Sequence, residues 1–167
     1  MPMPLTAIVA VDPFWAIGHE NRLLFRVSAD MRRFKAVTMG QVLLMGRRTF
    51  ESLPGLLPGR EHVVVSASGA ACDGAAVCPS PEEGLETARR IAKEKDAAVF
   101  VIGGASVYAA LLDRCDIALV TKMDAPAPAA DAWFPNLDER PQWRLAEQSP
   151  WEEEKGLRYC FCRYERT

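Results

Sequence analysis

Five apolar runs set the frame of the chain: Leu5–Val11, Val42–Met45, His62–Val65, Ala98–Ile102 and Ile117–Thr121. They are nearly continuous rather than alternating, the pattern of strands covered on both faces in a mostly parallel sheet. Helical patterns lie between several of them. Pro81 to Lys95, PEEGLETARRIAKEK, starts acidic and ends basic, as a helix dipole favours. Gly104 to Asp113 reads as a second helix, with Val107 and Leu111, and Tyr108 beside them, toward the sheet. A third opens at Ser28, a good N-cap, and carries Asp30 in its first turn. Its apolar positions are Met31, Phe34 and Val37, while Arg32, Arg33 and Lys35 take much of the rest. This alternation predicts an α/β fold with right-handed crossovers. Trp143–Ser149 and Leu157–Tyr164 read as further strands, the second alternating, so the C-terminal part should be antiparallel. The Pro/Ala-rich segment 124–136 reads as a long loop rather than a linker.

Composition narrows the class. With 167 residues, 49% hydrophobic and 25% charged, the chain fits one globular domain spanning 1–167. A net charge of −2 gives no broad nucleic-acid footprint. No apolar run reaches membrane-spanning length, and the N-terminus lacks a basic region and meets Asp12 too early for a signal peptide. The cysteines number five, with no C-x-x-C, and there are two histidines, His19 and His62. The expectation is a reduced, cytoplasmic, metal-free protein.

Three stretches carry candidate chemistry. Asp30 lies four residues before Phe34, so both share one helix face. An aspartate so placed is more often a surface cap. Against that stands its company: an apolar face, reached through a long loop containing Gly18. A carboxylate buried there needs a cationic or hydrogen-bonding partner. The second stretch is Val99–Ile102 running into Gly103–Gly104 and then Ala105, Ser106, Val107 and Tyr108. Paired glycines admit a ligand to the backbone, and a helix start offers free N–H groups to an anion. A plain tight turn fits the same residues. The third is Val42–Met45 followed by Gly46–Arg47–Arg48–Thr49, more positive charge than a pyrophosphate needs. A phosphate monoester is its natural partner, a solvated basic turn the alternative. The first strand is not followed by G-x-G-x-x-G, which disfavours the usual dinucleotide-binding fold.

Taken in order, AIVAVD (7–12), AIGHEN (16–21), SADMRRFK, LLMGRRTFESLP (43–54), LPGR (57–60), VFVIGGASVY (99–108), LVTKMDA (119–125) and DAWFP (131–135) resemble dihydrofolate reductase over nearly the whole chain. The resemblance implies a three-layer sandwich: a mostly parallel, mixed sheet of eight strands, about four flanking helices and an antiparallel C-terminal strand. It implies hydride transfer from NADPH to dihydrofolate, supplying one-carbon metabolism, in a monomer open to diaminopyrimidine antifolates. Asp30 then matches the carboxylate that binds the pterin, with Thr121 beside it through water. Ile8, Val9, Met31, Phe34, Leu53, Leu57, Ile102 and Tyr108 match the substrate's surroundings, and Arg60 the clamp on its glutamate tail. Ala10, Ile17, Gly18, Asn21 and Leu23 match the nicotinamide side. Gly46, Arg47, Arg48, Thr49, Ser66 and Ala67 match the adenosine-phosphate side, and Ile102 to Tyr108 the pyrophosphate turn. The loop from Phe14 to Arg26 would act as a lid.

Two departures stand out. Leu24–Phe25 replaces a Pro-Trp pair, and a phenyl ring cannot donate the hydrogen bond of an indole. That should shift antifolate affinity about tenfold relative to a Pro-Trp enzyme, with less effect on turnover. Ala67 after Ser66 should leave phosphate recognition mainly to the arginines. Two rival readings remain: a reductase of the same fold acting on another pyrimidine or pterin, and a non-catalytic dinucleotide-binding module.

Overall fold

The computed structural model describes residues 3–19, 22–23, 27–126 and 129–167. In chain order the elements are β1 (Leu5–Val11), β2 (Ala16–His19), β3 (Arg22–Leu23), α1 (Ser28–Thr38), β4 (Val42–Gly46), α2 (Arg47–Ser52), β5 (Glu61–Val65) and β6 (Ala76–Cys78). There follow α3 (Pro81–Lys95), β7 (Val99–Gly103), α4 (Ala105–Leu111), β8 (Ile117–Met123), β9 (Ala132–Trp133), β10 (Trp143–Gln148), β11 (Glu152–Glu154) and β12 (Leu157–Arg166). The main sheet runs β10-β12-β8-β1-β7-β4-β5-β6, with β11 paired to β12. From β8 to β6 every pairing is parallel, and β12 enters antiparallel beside β8. This is the expected sandwich.

The continuous apolar runs are continuous because both sheet faces are covered. Leu5, Val9, Val42, Leu44 and Val101 point to one face, where Leu85 and Ala88 of α3 and Val107 and Leu111 of α4 meet them. Ile8, Leu43, Met45, Val64 and Phe100 point to the other, against Phe34 and Val37 of α1 and Phe50 of α2. α3 is capped by Ser80, whose hydroxyl accepts from the Glu83 N–H, with Pro81 opening the first turn. It packs so closely that a Cβ on Gly84 would stand 2.9 Å from Val65 Cγ2 and 3.1 Å from Leu44 Cδ1. Gly84→Val should therefore destabilise the fold by about 1–3 kcal/mol through overpacking, read by chemical denaturation. Unchanged stability would mean that the helix can back away from the sheet.

Several expectations are corrected. Ser28 does not cap α1: Val27 holds the cap position, and no side chain of its own serves the free N–H groups. Instead the Glu154 carboxylate, from β11, accepts from the Ser28 N–H at 2.7 Å. The segment 124–136 is not all loop, nor is the expected lid: β9 pairs with β2, and β2 with β3, in a separate three-stranded sheet. Asp12 fixes the entry to it, accepting from the Phe14 and Ala16 N–H groups at 2.8 Å each. The helix expected over 104–113 is α4 followed by a 3-10 turn, Leu112–Arg114. Asn21, Leu24 and Phe25 lie outside the described residues, as does the side chain of Leu23.

Candidate active site

The C-terminal ends of β1, β4, β7 and β8 converge beside α1, and the candidate residues gather there. Thr121 of β8 donates to Asp30 Oδ1 at 2.5 Å, a direct bond where a bridging water was expected. Burial pushes the Asp30 carboxyl up, and the Thr121 bond and the charge of Arg33 draw it back. The result is a desolvated carboxylate held in one orientation on an otherwise apolar wall.

That wall is one cluster. Ile8 packs with Phe34, Leu53, Leu57 and Ile102, drawn from β1, α1, the segment after α2, and β7. The His62 imidazole holds the far part of it in place by accepting the Leu57 N–H at 3.1 Å. Burial lowers the His62 pKa, consistent with a neutral ring serving as acceptor. Tyr108 reaches across from α4, its buried hydroxyl donating to the Ile8 carbonyl at 2.6 Å. Two expected wall residues stand apart. Strand alternation turns Val9 to the opposite face and the main core. Met31, one residue on from Asp30, is turned outward at 53% exposure.

Arg60 marks the other end of the cleft. Its Nη1 donates to Thr38 Oγ1 at 3.2 Å and its Nε to the Pro58 carbonyl at 3.1 Å. Thr38 in turn donates to the Phe34 carbonyl, so the guanidinium is moored to the last turn of α1. Asp30 occupies the first turn. At 1.5 Å per residue, a carboxylate and a guanidinium thus flank roughly 12 Å of apolar wall. The arrangement suits an elongated ligand with hydrogen-bond donors at one end and an anion at the other.

The phosphate-binding candidates cluster on the adjoining strand ends. Gly46, closing β4, lies against Gly103, Gly104 and Val107, and an added Cβ would stand 3.3 Å from Val107 Cγ2. The Gly103–Gly104 peptide is cis, and Gly103 has φ +127°, a conformation that favours glycine. A Cβ on either glycine would lie 3.4 Å from Thr49 Oγ1, so that hydroxyl borders the turn. Ala105 and Ser106 follow at the start of α4. Arg47 leans from α2 toward the loop after β5, donating to the Ala70 carbonyl at 3.0 Å. On that loop Ser66 and Ser68 hydroxyls lie 3.1 Å apart. Ser68 is a residue that sequence reasoning missed; its signal was the S-x-S spacing just past a strand end. Arg48 and Ala67 are exposed nearby. On the opposite flank, Ala10 packs against Val27, Met123 and Tyr159, and Ile17 and Gly18 lie on β2.

The Arg33 guanidinium of α1 lies over the Phe161 ring, 4.4 Å from the centroid. Ser68 joins Ser66 on the loop whose Ala70 carbonyl accepts from Arg47. Among the described residues no group of His, Cys, Asp and Glu is disposed to hold a metal ion. All five cysteines are free.

Comparison with known proteins agrees with this geometry. A family profile described as dihydrofolate reductase matches residues 4–166. The chain is 38% identical over 135 residues to dihydrofolate reductase type 3 of Salmonella typhimurium, covering 80% of each. It is 37% identical over 158 residues to the dihydrofolate reductase of Mycobacterium tuberculosis, covering 90% of this chain and 91% of that one. It is 33% identical over 165 residues to that of Bacillus subtilis, covering 97% and 94%. A match of that extent places the chain in the dihydrofolate reductase family.

Proposed function

We propose that this protein is an NADPH-dependent oxidoreductase that reduces dihydrofolate to tetrahydrofolate, supplying purine, thymidylate and glycine synthesis. The observation that carries the reading is the pair of polar anchors, Asp30 with Thr121 and Arg60 with Thr38, at the two ends of one apolar wall. A bound NADPH supplies the hydride. Arg47, Ser66 and Ser68 fit its adenosine phosphate, and the N–H groups after Gly103–Gly104 fit its pyrophosphate. Ala10, Ile17 and Gly18 border the nicotinamide.

Asp30 does the polar work on the substrate. Its carboxylate accepts from the pterin amino and ring N–H groups, with Thr121 fixing its orientation through Oδ1. A cationic pterin is the better hydride acceptor, and the carboxylate stabilises that cation in a site of low dielectric. Ile8, Phe34, Leu53, Leu57 and Ile102 exclude water and align the flat rings. The Tyr108 phenol, kept protonated by burial, stays a donor and steadies the β1 backbone. Antifolates of the diaminopyrimidine type would compete for Asp30. The protein is read as a cytoplasmic monomer without nucleic-acid or membrane partners, and no helix among the described residues is long and apolar enough to cross a membrane.

Arg60 gives a specific test of the tail. A guanidinium can grip a carboxylate by two parallel bonds, and lysine cannot. Arg60→Lys should raise the KM for dihydrofolate about tenfold and leave that for a pterin without the glutamate tail nearly unchanged. Equal losses on both would remove Arg60 from substrate binding. The reading as a whole is tested by NADPH oxidation with dihydrofolate set against a ribosylated pyrimidine. Turnover on the pyrimidine alone would assign the chain to the rival reductase chemistry, and oxidation with neither would leave a binding module.

A further inference from the structure

Thr121, which bonds Asp30, sits directly opposite Phe161 in the β8–β12 ladder. Directly opposed residues project from the same sheet face, so both look up at α1. Asp30 comes down on one of them and Arg33, three residues along the same helix face, comes down on the other. The Arg33 Nη1 is buried and has no hydrogen-bond partner among the described residues. An arginine committed to the surface would satisfy that nitrogen in water. Here the guanidinium is half-buried, its Nη1 covered, over an aromatic face and one helical turn from a desolvated carboxylate.

We propose that Arg33 is a positioning residue for Asp30: stacked on Phe161, its guanidinium holds the neighbouring carboxylate ionised and thereby sets the pH at which hydride transfer falls away. This rests on the reading of Asp30 as the pterin-binding carboxylate. Among the described residues the other groups around the pair are few. From β8 Asp30 meets the neutral Thr121 hydroxyl, while the buried Tyr108 phenol of α4 donates to the Ile8 carbonyl. Glu154 of β11 lies at the start of α1, on the Ser28 and Ala29 N–H groups. Arg33 itself lines a cleft of about 240 Å³ with Glu147, Gln148 and Ser149 of the β10 side and Cys162 and Arg163 of β12. Arg163 is already paired with Glu165 at 2.8 Å, and the Cys162 thiol is pushed up to about 12, so it stays neutral. Among the described residues Arg33 is the cation whose charge bears on Asp30, drawing the carboxyl down against its burial.

The test uses three full-length variants: Arg33→Met, Arg33→Lys and Phe161→Leu. Two readouts are taken on each, the Asp30 carboxyl titration by carbon NMR without ligands, and the pH profile of hydride transfer in single turnover. Arg33→Met should raise the Asp30 midpoint by about one pH unit, and Phe161→Leu should move it the same way by less. Arg33→Lys, which keeps the charge, should restore most of the native value. The falling limb of hydride transfer should move up in step, because a site without the nearby cation holds its proton to higher pH. An unmoved Asp30 midpoint, with rates lowered equally at every pH, would show Arg33 to be a packing residue and overturn the proposal. A raised midpoint with an unmoved rate profile would support the Arg33–Asp30 coupling while removing Asp30 from the chemistry.

Discussion

Replacing Asp30 by asparagine is expected to cut hydride transfer at pH 7 by about 10²-fold or more, a loss of several kcal/mol of transition-state stabilisation. The amide keeps the size of the side chain and can still accept from Thr121, so the packing around it should survive. What disappears is the negative charge beside a cation that forms only as the pterin gains its proton. Binding of the neutral substrate should weaken less than turnover falls. Lowering the pH should narrow the gap between the two enzymes, because the substrate then arrives already protonated. Stability supplies an independent check. Burial holds the folded Asp30 carboxyl above its unfolded value, so the folded state binds more protons in that window and loses stability as pH rises through it. Asp30→Asn removes that penalty at neutral pH. The variant should be slow yet unfold at a temperature no lower than the native protein. Near-normal turnover at pH 7 would contradict the assignment of Asp30.

Removing the Arg47 side chain should weaken NADPH by about 10- to 100-fold and NADH far less. Charge-assisted bonds to a phosphate monoester are worth about 1.5–3 kcal/mol, and only NADPH carries that group. Arg47 is well placed for it: anchored by one nitrogen to the Ala70 carbonyl and loosely to Glu51 at 3.9 Å, it borders the loop that also presents Ser66 and Ser68. Titration of the two cofactors against Arg47→Ala by fluorescence reads the difference. Equal weakening of both would mean that Arg47 holds the loop after β5 in shape and does not touch the phosphate.

The parallel core of this fold was legible because buried strands and amphipathic helices leave periodic traces. Pro81–Lys95 is a helix at the bounds its charge gradient predicts. Residues that act across the fold leave no such trace. Glu154 caps α1 from 126 positions away, and nothing around Ser28 announces it. The strands β3 and β9 are two residues each, too short to carry a period, and exist because β2 pairs with both. Within the site, the motif placed Asp30, Phe34 and Arg60 where they stand. It carried Val9 along with its neighbours, although strand alternation by itself turns that side chain away. Spacing aside, nothing in the sequence sets Arg33 apart from the other basic residues of the helix, Arg32 and Lys35. Its spacing of three from Asp30 was the available signal, but only Phe161 on β12 shows that the guanidinium turns inward.

In the proposed reaction the site beside α1 brings a nicotinamide hydride to a pterin. That transfer is tested most directly by single turnover with NADPH deuterated on the hydride-donating face of the nicotinamide, followed by mass spectrometry and NMR of the pterin product. One deuterium is expected on the newly reduced ring carbon of tetrahydrofolate, formed at a rate slowed by a primary isotope effect and at least about 10²-fold slower in Asp30→Asn. Failure to convert dihydrofolate, or a product that carries no deuterium, would contradict the proposed reaction.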